Sequence, residues 1–474
     1  MTNVSTPAGS AEVTAIDTQA RGPLLYLLVS GVAWLVVSGF LALIASIQLH
    51  SPHFLADCAW FTIGRTQAMR DTAFIYGWGG NAALGISLWL LGRLGAFPLR
   101  GLNWTVVGTV FWNLGIFAGL VGIAAGDMTG FSFLQLPRYV LPLLVVAYAA
   151  VGMTGVLAWS GRRYDGMYAS QWYALAGLFL FPWMLCGAQA VLLWWPVRGA
   201  VQAVAATWYG QAVWTLWLAP VALAAAYYIV PKVVGKALPS YESAPLGFWT
   251  LIFVGSWMGG RHLIGGPVPA WVPTMAVVAG SLLLFHYLVL GLNFRVAFQS
   301  GGTALRFVRF GLVAYVLAGL LEFLTSFRGI AASTQFTFVN NAIEQLGLYG
   351  GVSMLFFGAI YFLVPRLTVQ PWASAGLLGG HRILVTAGVL LSVVALAYAG
   401  LSQGAGLLDD KVTFATIFGQ IRMVLLVNTA AQLLLVTGNV LLLVNLVRTA
   451  CPGTAPVPAR SLFRQPAKLE AHAS

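Results

Sequence analysis

Apolar runs of about 20 residues recur along almost the whole chain, divided by short polar breaks. They follow neither the period-two alternation of strands nor the one-sided stripe of a soluble helix. Runs apolar on every face at this length are membrane-spanning helices, which need about 20 residues each. Twelve are predicted, at about 24–47, 72–94, 104–125, 139–160, 169–193, 208–230, 246–265, 269–293, 306–326, 342–364, 381–402 and 419–447. A membrane barrel is excluded, because its strands would alternate lipid-facing and lumen-facing residues. The expected fold class is all-α, a polytopic membrane protein with one twelve-helix domain over 24–447. A polar segment, 1–23, precedes it, and a tail, 448–474, carrying Pro452, Pro456, Pro458 and Pro466, follows as a flexible cytoplasmic end.

Composition agrees with lipid as the solvent. The 474 residues are 59% hydrophobic and 8% charged, against about a quarter charged in ordinary soluble domains. The net charge of +12 is explained by topology rather than by nucleic acid. Twelve crossings put both termini on one side. The loops of that side hold sixteen Lys and Arg, the opposite loops hold seven, and Arg261 lies within a span. The positive-inside rule then makes both termini cytoplasmic. Segment 1–23 lacks the basic start of a signal peptide, and the first apolar run is long enough to be retained. Cys58, Cys186 and Cys451 have no metal-site or disulfide spacing. No phosphate-binding glycine loop or internal repeat is present.

Polar side chains recur at one depth. Arg70 and Gln211 open the second and sixth predicted spans at the outer face, Arg261 and His262 near the outer end of the seventh, and Glu344 with Gln345 opens the tenth. A charge at a span's centre costs about 2.5–3.5 kcal/mol on insertion scales, so such groups face the bundle interior and seek partners. Taken singly, Arg70 and Glu344 are explained by helix ends at the headgroup level, and an acid in a first turn suits the helix dipole. Arg261–His262 lies deeper. Together the five residues Arg70, Arg261, His262, Glu344 and Gln345 form an expected structural polar cluster.

In order along the chain, "LHSPHFLADCAWFTIGRTQ" (49–67), "YGWGGNAAL" (76–84), "TWYGQAV" (207–213), "YYIVPK" (227–232), "FWTLIF" (248–253), "VPAWVPT" (268–274), "GAIYFLVPRL" (358–367) and "YAGLSQG" (398–404) resemble segments of one family. The chain resembles subunit I of the haem-copper oxidases, specifically the C-family or cbb-type cytochrome c oxidases and their nitric oxide reductase relatives, over nearly its whole length. The resemblance implies two haems and a copper ion held by six histidines, with a tyrosine bonded to one copper ligand.

The residues at those positions depart from the pattern. The haem-ligand positions hold Arg70, Ile343 and Gln345, and the copper-ligand positions hold Gln211, Arg261 and His262. The active-site tyrosine position holds Gly255, and Arg328 in "FRG" stands where the family has a glutamate. A guanidinium has no free lone pair and stays protonated, isoleucine cannot ligate, and glutamine is a poor ligand for iron. Only His262 survives of six. The chain has histidines only at 50, 53, 262, 286, 381 and 472, and His286 is expected to be a packed or hydrogen-bonded core residue. No haem, copper, catalytic or metal site is therefore expected. Arg261 is expected to pair with Glu344, directly or through water, tying the seventh helix to the tenth in place of the metal centre.

Three functional readings follow. The leading one is a non-catalytic paralogue in the bacterial inner membrane, a scaffold or partner subunit of a respiratory complex. Its expected partners are lipid and other subunits, such as membrane-anchored c-type cytochromes or an authentic oxidase. The second is an active cytochrome c oxidase or nitric oxide reductase relative with unconventional haem ligation. The third is a transporter or proton path using Glu322, Glu344, Arg261 and His262.

Overall fold

The computed structural model describes residues 10–451. The outer parts of the predicted terminal segments, 1–9 and 452–474, lie outside the described residues. Eleven helices are long and apolar enough to cross a membrane. In chain order they are α1 (Thr14–His50), α2 (Ile63–Gly95), α3 (Leu102–Ala125), α4 (Val140–Ser160), α5 (Ala169–Trp194), α6 (Ala200–Val234), α8 (Trp271–Gln299), α9 (Thr303–Thr325), α10 (Phe338–Thr368), α11 (Ala375–Leu407) and α12 (Phe414–Ala450). The seventh crossing, α7, is composite. An α-helix, Ala244–Val254, continues as a nine-residue 3₁₀ run, Gly255–Leu263. No strand occurs among the described residues.

The composite α7 corrects the regular span expected at 246–265. Its second half, "GSWMGGRHL", is rich in glycine, the weakest helix former after proline. It also lies hard against α6: a Cβ on Gly259 would sit 2.3 Å from the Thr207 carbonyl oxygen. Eleven α residues and nine 3₁₀ residues still reach about 35 Å end to end, enough to cross the hydrocarbon layer.

Three helices make the core. In the most apolar stretch of α6 and α10 every residue is buried, and in α2 94% are, whereas the others bury 39–56% and turn the rest toward lipid. Hydrophobicity between helices does not drive packing in a bilayer, so close contact must. At the α9–α10 crossing a Cβ on Gly311 would lie 3.0 Å from the Gly351 carbonyl oxygen. Between α2, α3, α4, α5 and α6, the rings of Tyr76, Trp112, Tyr148, Phe181 and Trp217 interlock, with Phe181 and Trp217 stacked at 3.7 Å. Other aromatics, such as Trp104 and Trp183, face outward.

Helix starts differ from expectation in a way that matters for the site. The α2, α6 and α10 helices begin at Ile63, Ala200 and Phe338 rather than at 72, 208 and 342. At α10 the cause is local: the Thr337 side chain caps the helix by accepting from the Val339 N–H at 3.3 Å. Arg70, Gln211 and Glu344 are therefore about two to three turns inside their helices rather than at the ends. The α1 helix likewise starts before the predicted 24. Asp17 is buried there, and accepts from Arg93 Nη1 and Trp89 Nε1 of α2, each at 3.0 Å.

Asp17 thus holds the start of α1 to the end of α2. Asp17→Ala removes two bonds to a buried carboxylate, and about 1.5–3 kcal/mol of stability is expected to go with them. A thermal-unfolding series in detergent reads this as a lower midpoint for Asp17→Ala than for the exposed control Asp409→Ala.

Candidate functional site

Irregular helix geometry marks the site before any side chain is considered. Wide π turns interrupt the three core helices at Ala73–Gly80, Val213–Leu218 and Gln345–Ser353. They begin at or within three residues of Arg70, Gln211 and Gln345. On α7 the 3₁₀ run starts at Gly255 and carries Arg261 and His262. Departures from α geometry re-aim side chains toward a common centre and are frequent at functional sites. Four interrupted helices converge here, and their odd-register residues fall into two groups.

The first group lies where α6, α7, α9 and α10 meet. Arg261 is 4% exposed and donates from Nη2 to Glu322 Oε1 of α9 at 3.3 Å. Its Nη1 donates to Asn340 Oδ1 of α10 at 2.8 Å and lies 3.5 Å from Thr325 Oγ1. Gln211 of α6 donates from Nε2 to the other Glu322 oxygen at 3.2 Å. The expected direct Arg261–Glu344 pair is thereby corrected: the carboxylate in direct contact with Arg261 is Glu322. The 3₁₀ run delivers the guanidinium to α9, so Arg261 and Gln211 converge on one carboxylate from two helices.

Aromatic bulk fills the space beside this network. Trp214, three residues beyond Gln211, lays its ring over α10, where a Cβ on Gly347 would stand 1.3 Å from the ring edge. Any side chain at 347 would have to expel that ring. Trp214 also stacks with Tyr315 of α9 at 6.2 Å. Ile343 is buried at 2% exposure. Gly255 abuts α6, with Thr215 Cβ 2.9 Å from where its own Cβ would lie, so a tyrosine there would displace α6.

The second group lines a cleft of about 120 Å³ between α1, α2, α10 and α12. Arg70, Glu344 and Gln345 all border it, whereas Arg261 and His262 do not line it. Glu344 sits between the two groups, within electrostatic reach of Asp71 and Arg70 on one side and of Arg261 and Glu322 on the other. Arg70 donates from Nε and Nη2 to Asp71 Oδ1 at 2.8 and 2.5 Å. The Glu344 side chain makes no hydrogen bond to a described residue, though the Arg70 and Arg261 guanidinium groups lie within electrostatic reach of it. Asp71 was legible beside Arg70 in the sequence. Asn340, Asn439 and Trp214 carried no signal beyond being polar or aromatic within apolar runs.

The histidines are largely claimed by structural bonds. His286 bridges the Gly247 carbonyl oxygen at 2.8 Å and the Tyr315 hydroxyl at 3.2 Å, as expected of a core histidine. His381 meets the Tyr361 hydroxyl at 3.0 Å and packs against the Phe307 and Phe357 rings. His50 contacts Ser51 and Thr429. The His262 backbone carbonyl accepts from Gln335 at 2.7 Å, while its ring makes no hydrogen bond to a described residue. Among the described residues no three His, Cys, Asp or Glu side chains gather as a metal site would require.

These residues do not fit the family's haems and copper. Paired haem iron needs opposed lone-pair donors, and the cleft offers a guanidinium already bound to a carboxylate and an amide nitrogen instead. The copper positions hold one imidazole, with an amide and a guanidinium already committed to Glu322. Trp214 occupies the face of Gly347.

The ion pair can be separated from the cleft by mutation. Removing one partner of a buried pair strands the other, at roughly 3–5 kcal/mol, whereas replacing both with apolar groups costs far less. Glu322→Leu and Arg261→Met are each expected to lower the unfolding midpoint, and the double variant to recover most of the loss. Glu344→Gln is expected to fold and unfold like the parent. A larger loss in Glu344→Gln than in Glu322→Leu would restore the pairing expected from sequence.

Residues 23–449 match the family model described as "Cytochrome C and Quinol oxidase polypeptide I". The chain is 26% identical to a cytochrome c oxidase subunit 1 homolog of Azorhizobium caulinodans, over 79% of this chain and 70% of that one. It is also 26% identical to the Cbb3-type cytochrome c oxidase subunit CcoN1 of Stutzerimonas stutzeri, over 79% and 81%. A solved haem-copper terminal oxidase dimer contributes a similar chain, with TM-score 0.72 at 15% identity, over 95% of this chain and 85% of that one. The order of helices, the convergence of α2, α6, α7 and α10, and a family match across all twelve crossings agree: the chain belongs to the cytochrome c and quinol oxidase polypeptide I family.

Proposed function

We propose that this chain is a non-catalytic member of its family, a membrane scaffold or partner subunit within a respiratory complex. The observation that carries the proposal is the committed state of the ligand positions. Arg261 and Gln211 share Glu322, Arg70 holds Asp71, and Trp214 covers Gly347. Each residue is chemically unsuited to iron or copper, and most are engaged with the protein. The network keeps α6, α7, α9 and α10 in register, as a metal centre would, without redox chemistry. The outer surface of a twelve-helix bundle then remains available to partner subunits.

The relatives bearing oxidase names support a respiratory setting. The expected partners are membrane-anchored c-type cytochromes or an authentic oxidase, with lipid around the bundle. The excess of Lys and Arg in terminal-side loops supports cytoplasmic termini in a bacterial inner membrane. One observation favours a second reading, an oxidase subunit with unconventional ligation: the His262 ring is not claimed by a hydrogen bond.

Haem and copper analysis separates the two readings. Protein purified in detergent with intact helical circular dichroism is expected to show near-zero haem in a pyridine-haemochrome spectrum and no stoichiometric copper. Respiratory subunits are expected to co-purify under mild extraction. Haem near one equivalent per chain, lost on His262→Ala, would overturn the proposal in favour of the second reading.

A further inference from the structure

The cleft between α1, α2, α10 and α12 retains open space where the Trp214 site does not, and its walls are unfinished. Asn439 of α12 is 1% exposed and accepts from the Tyr349 hydroxyl at 2.6 Å through Oδ1, which leaves Nδ2 with no partner. Gln345 Nε2, buried on α10, also has none. Both side chains border the cleft. Buried amide donors without acceptors are rare in folded proteins, and an unfilled polar cavity is where the missing acceptor belongs.

The other wall groups restrict what fits. Arg70, Asp71 and Glu344 bring one positive and two negative charges, and Arg70 is already bound to Asp71 through Nε and Nη2. An anion such as a dicarboxylate porphyrin is repelled by this balance. The half-buried Glu344 carboxylate accepts no hydrogen bond from a described residue, so it offers an acceptor to an N–H or O–H of the occupant. Along α1 the lining runs from Leu35 to Leu49, about 20 Å at helical rise. The polar mouth lies at Gln67 and Asn341, and apolar walls of Leu35, Ala42, Leu348 and Leu435 continue inward. At about 120 Å³ the space is close to the ~150 Å³ cavity that takes up a benzene ring, so it has room for a ring or head group.

We infer that this cleft binds the head of a membrane-soluble molecule that is neutral overall. Its acceptor oxygens meet Gln345 Nε2 and Asn439 Nδ2, and it donates one hydrogen bond to Glu344. Two sources carry that chemistry: a quinol ring on an isoprenoid tail, or an aminophospholipid head whose ester carbonyls and ammonium play the two parts. This inference rests on the haem-free reading above. The Tyr349 and Phe74 rings, stacked at 6.1 Å on the cleft wall, give a flat group a surface to lie against.

The test is extraction of the purified full-length protein, with mass spectrometry of the organic phase and parallel haem analysis. Variants Asn439→Leu and Gln345→Met keep side-chain bulk and each remove one donor. About one quinol or one aminophospholipid per chain is expected in wild type. Retention is expected to fall about tenfold in each variant, as for loss of one hydrogen bond from a buried group. Circular dichroism and gel-filtration profiles serve as fold controls, and if one variant fails to fold the other gives the same answer from the opposite wall. Adding back a decyl-tailed benzoquinol or phosphatidylethanolamine to delipidated protein, read by thermal shift, distinguishes the sources. Haem-free protein with no stoichiometric occupant, wild-type retention in both variants, or a bound anionic lipid would overturn this inference and leave the haem-free reading intact. Bound haem would instead overturn that reading.

Discussion

A guanidinium inside a membrane bundle has to be answered by a carboxylate, and in this protein Glu322 answers Arg261. Desolvating two ions costs several kcal/mol each, recovered only with good geometry and further bonds. Here Gln211 and Asn340 provide them, so four helices share one charge-compensated node. The 3₁₀ geometry of α7 follows from the same requirement. A regular helix through Gly255–Leu263 would turn Arg261 elsewhere, and Gly259 allows the segment to sit against the α6 backbone. The π turns of α6 and α10 flank the node on either side.

Two neighbouring regions solved the same problem differently. Between α6 and α10 the space is closed by substitution of bulk, with the Trp214 ring pressed onto Gly347. A void there would forfeit dispersion contacts on every side. Between α1, α2, α10 and α12 the space stays open and polar, with amide donors left over. Packing alone would have favoured apolar residues at Gln345 and Asn439. Amide donors without acceptors beside the Glu344 carboxylate are what a polar binding cleft, as inferred above, would present and a packing defect would not.

Much of the fold was legible in the sequence because a membrane span is a length and composition signal. Eleven of the crossings appear as uniform apolar runs, and the family segments set their order. The seventh was legible as a span but not as a composite, since apolar content does not distinguish α from 3₁₀ and only contact with α6 makes the glycines decisive. Helix starts at α2 and α10 were misplaced because polar residues interrupt their first two turns, and the start of α6 was placed late although its first turns are largely apolar. Those errors carried Arg70, Gln211 and Glu344 toward the headgroups. Pairing was the least legible feature. Glu322, near the end of α9, and Glu344, near the start of α10, are acids toward the same membrane face, and sequence depth alone favoured the one beside the vacated ligand positions. Which of them faces Arg261 depends on the rotation of α9 and on the 3₁₀ register of α7, neither of which periodicity reports.

The most direct measurement is a cryo-electron microscopy map of the protein purified from its membrane in mild detergent. The account predicts continuous density joining Arg261 to Glu322 and Gln211, and the Trp214 ring resting on Gly347. A macrocycle between α6 and α10, with Trp214 displaced and Arg261 turned away from Glu322, would contradict it.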